Sequence, residues 1–161
     1  MISTLNISKE SKVWIYQSPI AFNVSQLALI NNELTKFIAT WESHGVALHG
    51  GYDIISNQFI LLAVDEKTKN ATGCSIDKSV SIIKKIETLL SINLTDKGLI
   101  AYEVDGNIKT VDFRDIKTKI NSGEIEENTT IFNLSISTFS ELETNWRIHA
   151  NQSWLKKYFN A

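Results

Sequence analysis

The chain has 161 residues, of which 43% are hydrophobic and 21% are charged, and its formal net charge is −2. This length predicts one domain, residues 1–161, because shorter halves would bury too little apolar surface. The slight negative charge argues against a nucleic-acid-binding protein, since it provides no large basic field. The single cysteine, Cys74, excludes an intrachain disulfide and favours a reducing compartment. We therefore predict a cytoplasmic protein, and its short apolar runs argue against membrane insertion, which needs ~20 apolar residues.

The first part of the chain predicts a strand followed by a long helix. Residues 12–18 are rich in β-branched and aromatic side chains, as is typical of a strand. Asn23 and Gln26 then form a capping-box pattern, and the apolar face of the following helix continues to Trp41. We expect this helix to end at His44-Gly45, because glycine favours the left-handed cap.

Four further strand-like runs follow in two pairs, and a second helix lies between the pairs. They cover residues 46–55, 58–65, 99–104 and 107–111. Ser56-Asn57 in the first pair and Asp105-Gly106 in the second predict hairpin turns. The run over residues 58–65 is apolar on both faces, so we expect it in the middle of a sheet.

The order strand, helix, strand, strand, helix, strand is that of a split βαβ unit. It predicts an α+β protein with a ferredoxin-like sandwich, in which an antiparallel sheet carries both helices on one face. The run after Asp105-Gly106 adds an extra hairpin strand, and the core covers about residues 12–112.

Residues 113–161 form a C-terminal extension. A short helix over residues 112–121, a strand at 131–134 and a last helix at 153–159 are expected there. The extension is rich in aromatic residues, so we expect it to lie against the domain or a partner. Trp146 and Trp154 are the candidate partner surface, because they fall in its irregular part.

The turn before the second helix is the most distinctive segment of the chain. Gly73 permits a sharp turn there, and Ser75 can cap a helix whose first N–H groups attract anions. Asp77 lies in the first helical turn, and Asp65 and Glu66 lie at the other end of the same loop. We predict no metal site, and these three acids are the alternative, as candidate oxygen ligands of a divalent cation. Helix capping alone also explains Ser75 and Asp77, and this structural interpretation stays open beside ligand binding.

Cys74 is the candidate nucleophile, because a thiol at a helix N-terminus can become reactive. Such a nucleophile also needs a base, and the histidines are His44, His49 and His149. A lone cysteine is more often a buried residue of the core. His44 and His49 are not spaced as metal ligands, but their loop could approach the turn, so both are candidate ligand-binding residues.

Several strings in this chain occur together in a known family. They are Lys12-Val-Trp-Ile-Tyr-Gln-Ser18, Trp41-x-x-His-Gly45, Val64-Asp-Glu66, Gly73-Cys-Ser-Ile-Asp77, Ile131-Phe-Asn133 and Ser153-Trp154. In this the chain resembles an uncharacterised Bacteroidota family of about the same length, whose members often carry the label "ABC transporter ATPase". The chain has no G-x-x-x-x-G-K-[ST] loop, which such an ATPase needs. The resemblance therefore implies a lineage and a cytoplasmic location, and it supplies no catalytic residue.

These observations predict a small cytoplasmic binding or adaptor module that recognises a protein partner or a small molecule. The predicted ligand-binding face combines the loop from Asp65 to Asp77 with the connection from His44 to His49. A thiol-dependent or metal-assisted enzyme centred on Cys74 is the alternative. We predict no cofactor, and the sequence leaves the oligomeric state open, a homodimer included.

Overall fold

The computed structural model describes residues 2–67 and 69–159. Its strands are β1 (Lys12–Gln17), β2 (Glu42–Ser43), β3 (Val46–Ala47), β4 (His49–Ile55), β5 (Phe59–Asp65), β6 (Leu99–Val104), β7 (Asn107–Asp112), β8 (Thr130–Phe132) and β9 (Arg147–His149). Its α-helices are α1 (Val24–Thr40), α2 (Gly73–Leu90), α3 (Ile116–Asn121), α4 (Glu141–Thr144) and α5 (Lys156–Phe159), and 3₁₀ turns cover Phe113–Asp115 and Ala150–Gln152.

The strands form three sheets in the part of the chain that the structure describes. The first has the order β1-β5-β4, the second pairs β2 with β3, and the third has the order β7-β6-β8-β9. Every pair is antiparallel. The α+β class is therefore confirmed.

The ferredoxin-like arrangement is not what the sheets show. The order β1-β5-β4 is the one that a split βαβ unit gives to its first three strands, but the fourth strand should then pair with β1. Here β6 pairs instead with β7 and β8 in the third sheet. Among the described residues, the outer edge of β1 is bonded only near its ends, where Val13 N–H donates to the Ser137 carbonyl and Gln17 Nε2 donates to the Leu99 carbonyl.

The layers of the molecule are set by β5, whose first six residues are all fully buried. One face of β5, with Ile60 and Leu62, packs against α1 and α2. The opposite face, with Phe59 and Leu61, packs against the third sheet and the C-terminal segment. The outer face of the third sheet is covered by α3 and α5. Ile116 of α3 is buried there, and Tyr158 of α5 packs against the same cluster. The order of layers is thus helices, sheet, sheet, helices, and the central position predicted for residues 58–65 is confirmed.

The C-terminal residues pack back onto the rest of the chain, as predicted. Trp146 is 1% exposed, and its ring lies 4.8 Å from that of Phe59 and 5.4 Å from that of Phe132. The prediction of Trp146 as part of a partner surface is therefore wrong, because the gap between the two sheets needs a large apolar side chain there. Trp154 is 53% exposed.

The end of α1 differs from the prediction. The helix ends at Thr40, and Trp41 already has an extended backbone. His44 and Gly45 both have positive φ, 51° and 78°, and form the turn between β2 and β3. Two consecutive positive φ angles suit a two-residue hairpin better than a helix cap. The hairpin turns predicted at Ser56-Asn57 and Asp105-Gly106 are confirmed by the strand registers.

The contrast between the two C-terminal tryptophans is testable. We expect Trp146→Ala to lower the free energy of unfolding by about 3–5 kcal/mol, because it removes a buried aromatic side chain and leaves a cavity. The control Trp154→Ala should change it by less than ~0.5 kcal/mol, as an exposed substitution does. Urea denaturation followed by circular dichroism measures both values. Equal effects of the two substitutions would contradict this account of the core.

Candidate functional site

The turn before α2 is held by a reciprocal pair of hydrogen bonds. The Thr72 N–H donates to Ser75 Oγ at 2.7 Å, and the Ser75 hydroxyl donates to the Thr72 carbonyl at 2.9 Å. The N-cap is Thr72, so Ser75 is the third residue of the helix and not its cap as predicted. Gly73 has no positive φ, and a Cβ added there would meet open space. The turn therefore does not use the conformational freedom that Gly73 permits.

The same turn is tied to the end of α1. Trp41 Nε1 donates to the Ser75 carbonyl at 2.9 Å, and the Ser43 and Thr72 hydroxyls lie 2.8 Å apart. Ser75 is fully buried and Trp41 is 1% exposed. These contacts make Ser75 a structural residue that no ligand reaches, whereas Cys74 and Asp77 in the same turn are exposed.

The acidic residues of the loop accept hydrogen bonds from nearby backbone N–H groups, and one of them pairs with a lysine. Glu66 accepts the Ala71 N–H at 2.7 Å and pairs with Lys12 at 3.1 Å. Asp65 accepts the Lys67 N–H at 3.0 Å. Over residues 2–67 and 69–159, no three His, Cys, Asp or Glu side chains gather as a metal site would require. The alternative metal site of Asp65, Glu66 and Asp77 is thus not assembled in these residues.

The two candidate histidines lie on the surface beside this loop. His44 is exposed in the β2–β3 turn, and His49 is exposed at the start of β4, where it is opposite Asp65 in the strand register. Within the described ranges neither histidine hydrogen-bonds to Cys74, so the thiol has no base in contact with it. The enzyme alternative at Cys74 stays a prediction.

A groove runs along the outer edge of β1, near these elements. We call it the β1 groove. It combines a cavity of about 500 Å³ with adjoining ones of about 410 and 130 Å³, and Lys97 and Leu134 line all three. Its walls include Trp14, Ile15, Tyr16, Gln17, Ile76, Val80, Lys84, Leu94, Asp96 and Trp154. None of the predicted ligand-binding residues of the Asp65–Asp77 loop or the His44–His49 connection lines it.

The backbone of β1 is unpaired where it borders this groove. In an antiparallel edge strand, alternate residues direct their N–H and C=O groups away from the neighbouring strand. The Val13 N–H bonds outward to Ser137 at 3.0 Å, whereas the Ser18 N–H bonds inward to Gln58 at 2.9 Å. The backbone N–H and C=O of Ile15 therefore point away from β5. Neither group has a hydrogen-bond partner among the described residues.

Gln17 closes one end of the gap. Its Nε2 donates to the Leu99 carbonyl, which links β1 to the start of β6. The side chain is 3% exposed, and its Oε1 has no hydrogen-bond partner within the described part of the chain. A buried acceptor without a donor costs about 1–3 kcal/mol, so this oxygen is a group that an added N–H would stabilise.

The walls of the β1 groove combine apolar side chains with positive charge. Trp14, Tyr16 and Val80 are half-buried, and burial raises the pKa of the Tyr16 phenol, an effect that a hydrogen bond with Ser79 partly opposes. The phenol is therefore neutral near pH 7. Lys84 and Lys97 are exposed, and neither forms an ion pair in the described ranges.

Comparison with known proteins adds no identity to this geometry. No family model, curated protein or solved structure matches the chain. The described residues contain no helix that is both long and apolar enough to cross a membrane.

The structural role of Ser75 can be separated from the surface position of Asp77. We expect Ser75→Ala to lower the free energy of unfolding by about 1–2 kcal/mol, because the Thr72 N–H loses its acceptor. Asp77→Ala, two residues further on at an exposed position, should change it by less than ~0.5 kcal/mol. Thermal and urea unfolding measure both variants. A Ser75→Ala protein as stable as the parent would contradict the role of Ser75 as acceptor for the Thr72 N–H.

Proposed function

We propose that this protein is a small binding module that recognises an elongated, partly apolar ligand in the β1 groove. The observation that supports this most strongly is an unpaired strand edge at Ile15 beside half-buried aromatic and aliphatic side chains. Soluble proteins usually cover or interrupt such edges, because an exposed one invites pairing with another chain. An edge left open inside a groove is typical of a binding site.

The composition of the groove favours a ligand with apolar groups and an acidic group. Trp14 and Tyr16 offer flat apolar surfaces with polar ends, which suit ligands that are only partly apolar. The two lysines without ion-pair partners, Lys84 and Lys97, favour an anionic group over a cationic one. This proposal keeps the predicted class, a module for a protein partner or a small molecule, and moves its site from the Asp65–Asp77 loop to β1.

A titration with defined probes tests the proposal. ¹⁵N–¹H spectra of the protein would be recorded with free tripeptides, hexanoate and indole-3-propionate. We expect saturable shifts at the amides of Trp14, Ile15 and Lys97 with at least one probe class, because these residues line the groove. Shifts confined to residues 65–75, or no saturable shift with any probe, would contradict the proposal.

A matched pair of variants on α2 makes this test specific. Val80 lines the groove, whereas Leu89, on the same helix, is 49% exposed and does not. Val80→Glu places a carboxylate in the groove one turn before Lys84, where it can neutralise that lysine. We expect it to weaken binding of the anionic probes by about tenfold, with Leu89→Glu close to the parent. Thermal unfolding of both variants checks that the fold is retained.

A further inference from the structure

We propose that the occupant of the β1 groove is the free C-terminus of a partner protein, bound as a short extended strand against Ile15. This inference rests on the proposed function and names its ligand class. An extended peptide adds to a sheet edge through main-chain hydrogen bonds, and pockets for alternate side chains select its sequence. Ile15 provides both an N–H and a C=O for such a strand.

The length of the gap limits what can bind. Hydrogen bonds close it at Val13, through Ser137, and at Gln17, through Leu99. Four residue steps along an antiparallel strand span about 14 Å. A strand that continues in both directions would have to pass both of these closures. A chain end of three or four residues fits, because it has to enter from one side only.

The charges at the groove match a terminal carboxylate. Lys84 and Lys97 line the same cavity and have no ion-pair partner among the described residues. Asp96 also lines it, and its carboxylate accepts the Gly98 N–H at 2.9 Å. The two lysines therefore outnumber this one acid.

The side walls favour apolar residues near that carboxylate. Successive side chains of an added strand point to opposite faces, so alternate ones turn toward the helix side of the sheet. There Trp14, Tyr16, Ile76 and Val80 form a half-buried apolar wall. The buried Gln17 Oε1, which has no donor in the described residues, lies at the closed end beside them.

The test begins with peptides that carry free C-termini. A library randomised over the last five residues is selected on the intact protein, and the best peptide is resynthesised both as the free acid and as the C-terminal amide. Fluorescence anisotropy gives both Kd values. We expect the free acid to bind at least about fivefold more tightly than the amide, since the carboxylate meets two lysines. Equal binding of the two forms would overturn the assignment of a chain terminus.

Hydrogen exchange at one amide reports the strand itself. In the free protein we expect the Ile15 amide to exchange faster than those of Trp14 and Tyr16, which point toward β5. The free-acid peptide should slow Ile15 exchange by at least about tenfold, because the amide gains an acceptor. If peptides or small acids bind the groove while Ile15 exchange is unchanged, strand addition is refuted and groove binding stands. If nothing binds the groove, the proposed function fails as well.

Two sets of variants complete the experiment. Ile15→Pro removes the outward N–H without removing a bond to β5, and proline is tolerated on edge strands at such positions. We expect it to weaken peptide binding by at least about tenfold. If this variant fails to fold, Lys84→Gln/Lys97→Gln should weaken binding by about two- to fivefold per lysine, with Lys36→Gln/Lys156→Gln as the control. Equal affinity of the two double variants would contradict the charge match.

A second copy of this chain is the competing occupant. Light scattering with size-exclusion chromatography measures the mass of the parent and of Ile15→Pro. We expect both to run as the same species. A parent dimer that Ile15→Pro converts to a monomer would overturn the proposal in favour of pairing between two β1 strands.

Discussion

The burial of β5 on both faces is the constraint on which the rest of this structure depends. A strand whose successive residues are all apolar cannot leave either face in water, and each fully buried side chain of this kind contributes roughly 1.5–3 kcal/mol. One face requires the helix pair α1 and α2. The other requires a second apolar layer, which a simple two-layer sandwich lacks. The third sheet and Trp146 supply that layer.

This demand also accounts for the open edge of β1. In a single four-stranded sheet the strand after α2 would pair with β1 and cover its outer edge. That strand, β6, instead belongs to the third sheet, which packs against β5. Among the strands of the structure β1 therefore pairs with β5 only, on one side. At one end of β1 the Gln17 side chain bonds to Leu99 of the third sheet, and at the other end Val13 bonds to Ser137 in the segment that follows β8. The groove is what lies between these two attachments.

Local signals predicted much of the fold. The capping box at Asn23 and Gln26 is present, and the two hairpin turns lie where the sequence indicates. These features depend on a few neighbouring residues, which the sequence displays directly. The assignment of β6 to another sheet depends on contacts between distant residues, and no local pattern encodes it. The position of the groove is not encoded locally either, since nothing in residues 12–17 distinguishes an edge strand from a central one.

Ser75 departs from its predicted ligand-binding role for a different physical reason. Ser75 and Asp77 match both a ligand-binding turn and an ordinary helix start, and only burial separates the two. The buried hydrogen bond from Trp41 to the Ser75 carbonyl supports the interpretation of Ser75 as part of an ordinary helix start. Gly50 lies directly against the Trp41 ring, where an added Cβ would come within 2.8 Å of it. A side chain at position 50 would therefore displace the indole and loosen the first turn of α2, so β4 and α2 are mechanically coupled through one aromatic ring.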